Sequence, residues 1–537
     1  MPATPKVLML AMDAATPSLL RQWTDDGTLP NLARFRRDAL VLDVAGPLGL
    51  EVASTWPTFI SGQGPGEHGV SWIDWVIPGT YREQRMRGDD FAHVTPFWKA
   101  LSDAGKRVAV FDVPFAPLAK QINGMQITAW GAHEGVFGFS TTPRTLKRRI
   151  QQTWGEYPVP LACETTRISA DEYRRMADTL IGGITTRGTM TRELLADRSW
   201  DFAVQVFTEL HCAGHLLWHY HDPSYPGADP AGIARYGDLL REVYVATDAA
   251  IGTILAGTGP ETTVLIGSLH GMEHTCGTSL LLPHMLEGIG ALRRASTATA
   301  AETRRTPARQ RELRGLMRKV YRLVPPRARV AFYETRQRIN QHWLRRGAPI
   351  DIEPSETRAF QLGFGAGSSF SGIRLNIRGR EPEGVLEPGT HVDRYCDELR
   401  QGLCAFTDPE SGERLVRRVL RTADLYPGPR TDQLPDLLVE WQYDPARGTT
   451  AVGSGAGGVW RGFSEKTGTI EHSNGSGRTG SHRLQGLLFV RGPGIQAGEV
   501  ERVIPTVDFA PTIMRILGHE YAAGSGQLIG ELLPRRP

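Results

Sequence analysis

Histidines are the residues in this chain whose types and spacing could do chemistry. His211 and His215 stand four residues apart, one helical turn, after the apolar run Asp201-Phe-Ala-Val-Gln-Val-Phe-Thr. His270-Gly271 follows a second run, Thr262-Thr-Val-Leu-Ile-Gly-Ser, and Gly480-Ser-His482 precedes a third, Gly486-Leu-Leu-Phe-Val. Asp13 closes a fourth, Val7-Leu-Met-Leu-Ala-Met. Imidazoles and a carboxylate on separate loops suit a divalent ion of the zinc type, and iron or copper accept the same donors. An HxxxH spacing alone also arises from one polar helix face. Its recurrence with other histidines in similar strand-edge settings is what favours a site. Asp13 taken alone serves equally well as a cap for the helix beginning at Thr16-Pro17.

Bringing these residues together requires a sheet. The apolar runs read as buried parallel strands, and in open α/β sheets chemistry gathers at their carboxyl ends. Between them, Pro17 to Trp23, Leu29-Pro-Asn-Leu-Ala-Arg-Phe and Phe97-Trp-Lys-Ala-Leu read as helices, and Val41-Leu-Asp-Val and Arg107 to Pro114 as strands. Gly46 to Gly69, rich in Gly, Ser, Thr and Pro, reads as a loop running into a helix N-terminus, a candidate anion cradle. This alternation predicts an α/β fold with a mostly parallel central sheet flanked by helices. Residues 1–295 form the first part of that core, and 296–349 a basic helical insertion, either a solvated cap or a surface for anions. Residues 350–450 form a small α+β cap that returns to the core, with strands at Ile373-Arg-Leu-Asn-Ile and Asp436-Leu-Leu-Val-Glu. Residues 451–537 complete the core, carrying a Gly/Ser-rich loop from Gly453 to Gly480, the last histidine and a closing helix that stops at Gly518.

The chain has 537 residues, 40% of them hydrophobic and 22% charged, which suits a large globular protein. A net charge of +3 is too small at this length to imply nucleic acid, and no apolar run reaches membrane-spanning length. Met1-Pro-Ala-Thr-Pro-Lys lacks the apolar segment of a signal peptide, so a cytoplasmic protein without a membrane partner is expected. The five cysteines are scattered and odd in number, which suggests neither a disulfide framework nor a structural zinc site. A small anionic substrate is the expected partner, and oligomeric state leaves no signal.

Several stretches together resemble one family over nearly the whole chain. They include Met12-Asp13-Ala-Ala-Thr-Pro, Gly27-Thr-Leu-Pro-Asn-Leu-Ala-Arg-Phe, Trp56 through Ser61-Gly62 to Pro65-Gly-Glu-His-Gly69, Phe97-Trp98 and His270-Gly-Met. Leu375-Asn-Ile-Arg-Gly-Arg-Glu-Pro-Glu-Gly384, Pro435-Asp-Leu, Gly480-Ser-His482 and Asp508-Phe-Ala-Pro-Thr continue the match. The chain is similar to the alkaline phosphatase superfamily, in its type I phosphodiesterase/nucleotide pyrophosphatase branch. The resemblance implies two metal ions about 4 Å apart that clamp a phosphoryl group, attacked by a metal-bound Thr or Ser. The first ion's ligands fall on His211, His215 and His482. Those of the second fall on Asp13, the nucleophile, Leu269 and His270.

Three departures lie in the site itself. His211 stands where the family has a carboxylate, Leu269 stands where it has the Asp of an Asp-His pair, and the nucleophile position falls on Val52. Ser54 or Thr55 would replace that nucleophile only if the loop shifts by two or three residues. Glu209 reads as a base, as a partner that orients an imidazole, or equally as a satisfied polar residue. His274 reads first as a surface histidine and second as a replacement ligand, and His68, His133 and His472 are loop histidines held in reserve. The expectation is a metal-dependent enzyme that hydrolyses or transfers a phosphate, phosphodiester or sulfate group at a mononuclear site. Zinc is the expected ion, one per chain with two as an option, and iron or copper are the alternatives. A non-hydrolytic reaction at a three-histidine metal, or an inactive binding protein, stands as the alternative function.

Overall fold

The computed structural model describes residues 6–91, 93–131, 136–157, 170–196, 199–225, 228–275, 277–295, 347–363, 367–442, 459–473 and 478–533. Most of the predicted basic insertion, 296–346, lies outside them, as does His133.

The first apolar run is the central strand, Lys6–Met12, of a nine-stranded sheet. It pairs in parallel with Phe202–Phe207 on one side and with Thr262–Ser268 on the other. Its residues face both ways: Leu8, Leu10 and Met12 enter one core, and Val7, Met9 and Ala11 the other. A strand buried on both faces must be apolar at every position, which is why the run shows no alternation. Helices Pro17–Asp25, Ala170–Ala196 and Leu239–Leu255 contribute to the first core, and Glu51–Ser61, Phe97–Asp103 and Phe509–Ile516 to the second.

Starting at one edge, the sheet runs Gly498–Pro505, Leu40–Ala45, Gln485–Arg491, Thr262–Ser268, Lys6–Met12, Phe202–Phe207, Val108–Phe111, Gly124–Thr128 and Ser140–Thr142. Its centre is parallel, as the alternation predicts. Gln485–Arg491 runs antiparallel to both neighbours, and Ser140–Thr142 to its one neighbour. The reversal at Gln485–Arg491 matters for the site, because that strand is entered from the same edge at which its neighbour Thr262–Ser268 ends.

A separate hydrophobic cluster belongs to a four-stranded antiparallel sheet ordered Ala359–Gln361, Phe370–Leu375, Leu437–Trp441 and Val416–Arg421, covered by helix Thr390–Cys404. Inside the stretch read as a Gly/Ser-rich loop, Val459–Ser464 and Gly468–Ser473 pair as a hairpin. Their alternating Trp460, Gly462 and Ser464 face inward, a period-two pattern that the surrounding glycines and serines hide. No described helix is long and apolar enough to cross a membrane.

Candidate metal centre

Helix Glu209–His221 begins two residues beyond strand Phe202–Phe207, so His211 and His215 project from its first two turns at the carboxyl edge of the sheet. A short strand, Gly480–Arg483, packs against this helix and pairs antiparallel with Gly271–His274, placing Met272 opposite His482. The approach is close because two glycines meet: a Cβ on Gly480 would stand 2.1 Å from the Gly214 carbonyl oxygen. This closeness lets His215 Nδ1 donate to the Gly480 carbonyl at 2.7 Å. With Nδ1 carrying the proton, Nε2 is the atom that can hold a metal. The Thr479 N–H completes the clamp by donating to the His215 carbonyl at 2.7 Å.

One nitrogen from each of His211, His215 and His482 lies within 4.8 Å of the other two. All three side chains are buried, and the His211 and His482 Nε2 atoms are 2.7 Å apart. That is an N–H···N hydrogen-bond spacing. A tetrahedral zinc ion with Zn–N of about 2.0–2.1 Å needs its nitrogens roughly 3.3 Å apart, so coordination asks the two rings to separate by about 0.6 Å. Small ring rotations meet that requirement. Three imidazoles, one with its tautomer fixed, are a donor set that fits a divalent transition ion.

The Asp13 position is built differently. Asp13 follows the central strand and is 1% exposed; its N–H donates to the Phe207 carbonyl at 3.0 Å. Its Oδ1 accepts the Trp56 indole N–H at 3.0 Å and lies 3.5 Å from His270 Nε2. Burial lowers the His270 pKa to about 3, so this ring is neutral. Leu269 is buried beside it and offers no donor atom. Thr16 Oγ1 donates to the Met272 carbonyl at 2.6 Å, tying this edge to strand Gly271–His274, and Ser268 Oγ donates to the Ala15 carbonyl at 2.8 Å.

The remaining candidates separate clearly. The segment read as a loop leading into a helix is already helical from Glu51 to Ser61, so Val52 lies in its first turn and Ser54 and Thr55 in the second. Both hydroxyl residues are fully buried, and Thr55 Oγ1 packs against Gly46. Glu209 is bound by Arg187 Nε at 3.1 Å and Tyr157 Oη at 3.0 Å, and among the described residues it makes no hydrogen bond to an imidazole. His274 lies outside the three-nitrogen group; its Nδ1 donates to the Thr275 carbonyl at 3.1 Å. His68 Nδ1 accepts the Val70 N–H at 3.1 Å and its Nε2 meets Thr58 Oγ1 at 3.0 Å, a structural role, with burial lowering its pKa to about 3. His472 pairs with His284 at 3.1 Å. Cys212, between the two helix histidines, is disulfide-bonded, against the expectation drawn from the scattered cysteines, while Cys396 and Cys404 are free.

Two residues were missed in the sequence. Trp56 stands in a quoted motif, yet nothing local says that its indole points at Asp13. Arg187 has a visible signal: it sits on the face Leu180, Ile184, Thr191 and Leu194 of helix Ala170–Ala196, a charged residue at apolar spacing.

Comparison with known proteins agrees with this architecture. The alkaline phosphatase PafA superimposes over 98% of this chain and 99% of its own, with TM-score 0.51 and 14% identity. Phosphonoacetate hydrolase from Sinorhizobium meliloti 1021 (TM-score 0.49, 12% identity, 96% of each chain) and murine ectonucleotide pyrophosphatase/phosphodiesterase 5 (0.46, 10%, 97% of each) are also similar. No curated protein matches in sequence. The sequence model of type I phosphodiesterase/nucleotide pyrophosphatase matches residues 7–349, well over half the chain. This protein therefore belongs to the type I phosphodiesterase/nucleotide pyrophosphatase family, on an alkaline phosphatase-like fold.

Proposed function

We propose that this protein is a metal-dependent enzyme that hydrolyses or transfers a phosphate, phosphodiester or sulfate group of a small anionic substrate at a single ion held by His211, His215 and His482. The observation that carries this reading is the convergence of three buried imidazoles from chain positions up to 271 residues apart. Zinc is the first choice of ion, with iron or copper as alternatives; bound there, it supplies Lewis acidity and lowers the pKa of a water ligand. The chain's own residues supply the rest. Gly480 holds the tautomer of His215, and Trp56 orients the Asp13 carboxylate as a proton acceptor. With Val52 at the position where the resemblance places the nucleophile, direct attack on the substrate is the route this reading takes.

A second reading, a non-hydrolytic group transfer or redox reaction, is favoured by one observation. Trp56 donates to Asp13 Oδ1 and Leu269 offers no donor atom where the resemblance places ligands of a second ion, which argues against a two-ion clamp on a phosphoryl group.

Metal analysis of the purified chain with an assay on bis(4-nitrophenyl) phosphate separates these readings. The expected result is one zinc per chain with hydrolysis, both lost in His215→Ala. Two zinc ions would overturn the mononuclear site. One iron or copper without hydrolysis would favour the second reading. A chain that binds no metal and keeps its stability in chelator would point to a binding protein instead.

A further inference from the structure

Two residues before His211, the structure buries a charge cluster that the proposed reaction does not use. Arg187 is fully buried at the middle of the 27-residue helix Ala170–Ala196. Its Nη1 donates to Asp112 Oδ2, its Nε donates to Glu209 Oε1 at 3.1 Å, and its guanidinium lies 5.5 Å from the Trp130 ring centroid and 5.7 Å from that of Tyr157. Asp112 follows strand Val108–Phe111 in the left-handed region, φ 52°, which Asp adopts more readily than most residues. The Trp130 and Gly131 N–H groups donate to its two oxygens at 2.9 and 3.0 Å. Gly131 leaves room for the guanidinium, since a Cβ there would stand 2.1 Å from Arg187 Nη2. Thr208 Oγ1 donates to the Gly131 carbonyl at 2.7 Å.

Stability alone does not account for this construction. Buried ion networks carry a desolvation cost that well-packed apolar residues avoid, and their best-attested use is to fix one arrangement. Here the fixed arrangement is the turn from strand Phe202–Phe207 into helix Glu209–His221. Thr208 is tied to the Gly131 loop and Glu209 to Arg187 and Tyr157, so two successive residues hold the start of the helix that carries His211. His211 and His482 already stand within 2.7 Å, so a small rotation of that helix changes whether three nitrogens can share one ion.

We propose that Arg187 is the positioning residue of the three-histidine centre, acting through Glu209 and Asp112 to fix the start of the helix that carries His211 and His215. The proposal rests on the metal-site reading above. The test is titration of the metal-free full-length chain with cobalt(II), following the visible d–d absorption and chelator competition, alongside thermal unfolding of the metal-free protein. Arg187→Lys keeps the charge but cannot serve both carboxylates with a planar fork. The expected result is cobalt affinity lowered by about tenfold or more, the usual cost of losing an outer partner, with an altered absorption band. Glu209→Gln, of nearly the same shape, is expected to shift both in the same direction and keeps the test valid if Arg187→Lys does not fold. Folded variants with wild-type band and affinity, changed only in unfolding temperature, would overturn the proposal while leaving the metal site standing. A wild-type chain that binds no cobalt would overturn both.

Discussion

The three-histidine cluster and the Asp13 position share one sheet edge, with the His270 ring 5.6 Å from that of His482, yet they are built in different ways. The cluster draws on a helix and a short strand that meet through Gly214 and Gly480, and its imidazoles converge. At the Asp13 position an indole donor meets the carboxylate, a leucine stands beside a neutral histidine, and burial is nearly complete. The difference teaches that two neighbouring positions on one sheet edge can be built from different donors: three imidazoles converge in the cluster, while at the Asp13 position the carboxylate accepts from an indole and neither ring nitrogen of His270 has a hydrogen-bond partner among the described residues. A buried carboxylate needs a hydrogen-bond donor, because an unpaired buried charge is costly, and the Trp56 indole is one such donor.

The comparison breaks most sharply at Asp13. In Asp13→Asn, turnover is expected to fall by about a hundredfold, the scale of a lost general base, while metal content stays unchanged. Lost metal would mean that Asp13 is still a ligand and that the two positions act as one site. A change in the opposite direction is Leu269→Asp, which returns a carboxylate beside His270. Equilibrium dialysis against zinc is expected to show a second ion per chain, and a stoichiometry that stays at one would show that Trp56 alone keeps the position closed.

Smaller effects sharpen the contrast. Trp56→Phe removes the indole donor, and urea unfolding is expected to show a loss of about 1–3 kcal/mol with the metal stoichiometry unchanged. A gain of metal would mean that the indole blocks a working site. The smallest effect distinguishes burial from coordination. His68, away from either position, has its pKa lowered to about 3 by burial, so between pH 3 and 6.5 the unfolded chain takes up a proton that the folded chain refuses. Stability attributable to His68 therefore falls as pH drops below 6.5. His68→Gln is expected to recover about 2 kcal/mol of the loss between pH 7 and 4.5, measured as the difference in unfolding free energy from wild type.

Much of the fold was legible because burial leaves a strong pattern. Val7 to Met12 has to be apolar throughout to serve two cores, and that run, Thr262–Ser268 and Phe202–Phe207 could be read as parallel strands before any contact was known. The hairpin of strands Val459–Ser464 and Gly468–Ser473 was not legible, since of the inward Trp460, Gly462 and Ser464 only Trp460 favours a strand, and Gly and Ser also make loops. In the site, the histidines were visible through their spacing and repetition. The environments of Glu209, Ser54 and Thr55 were not, because a side chain's partners come from distant elements.

By itself the sequence determined the chemistry on offer: three imidazoles in strand-edge settings, a carboxylate at the end of the first strand, and Val52 and Leu269 where a nucleophile and a ligand are expected. Residue types decide which donors exist. Only the tertiary structure decided which of them meet. It brought His482 to His211, gave Asp13 to the Trp56 indole, and joined Glu209 to Arg187 rather than to an imidazole. Hydrogen bonding and metal coordination act over about 2–3 Å, a scale met here through how closely two glycines let a helix and a short strand approach and not through any spacing along the chain.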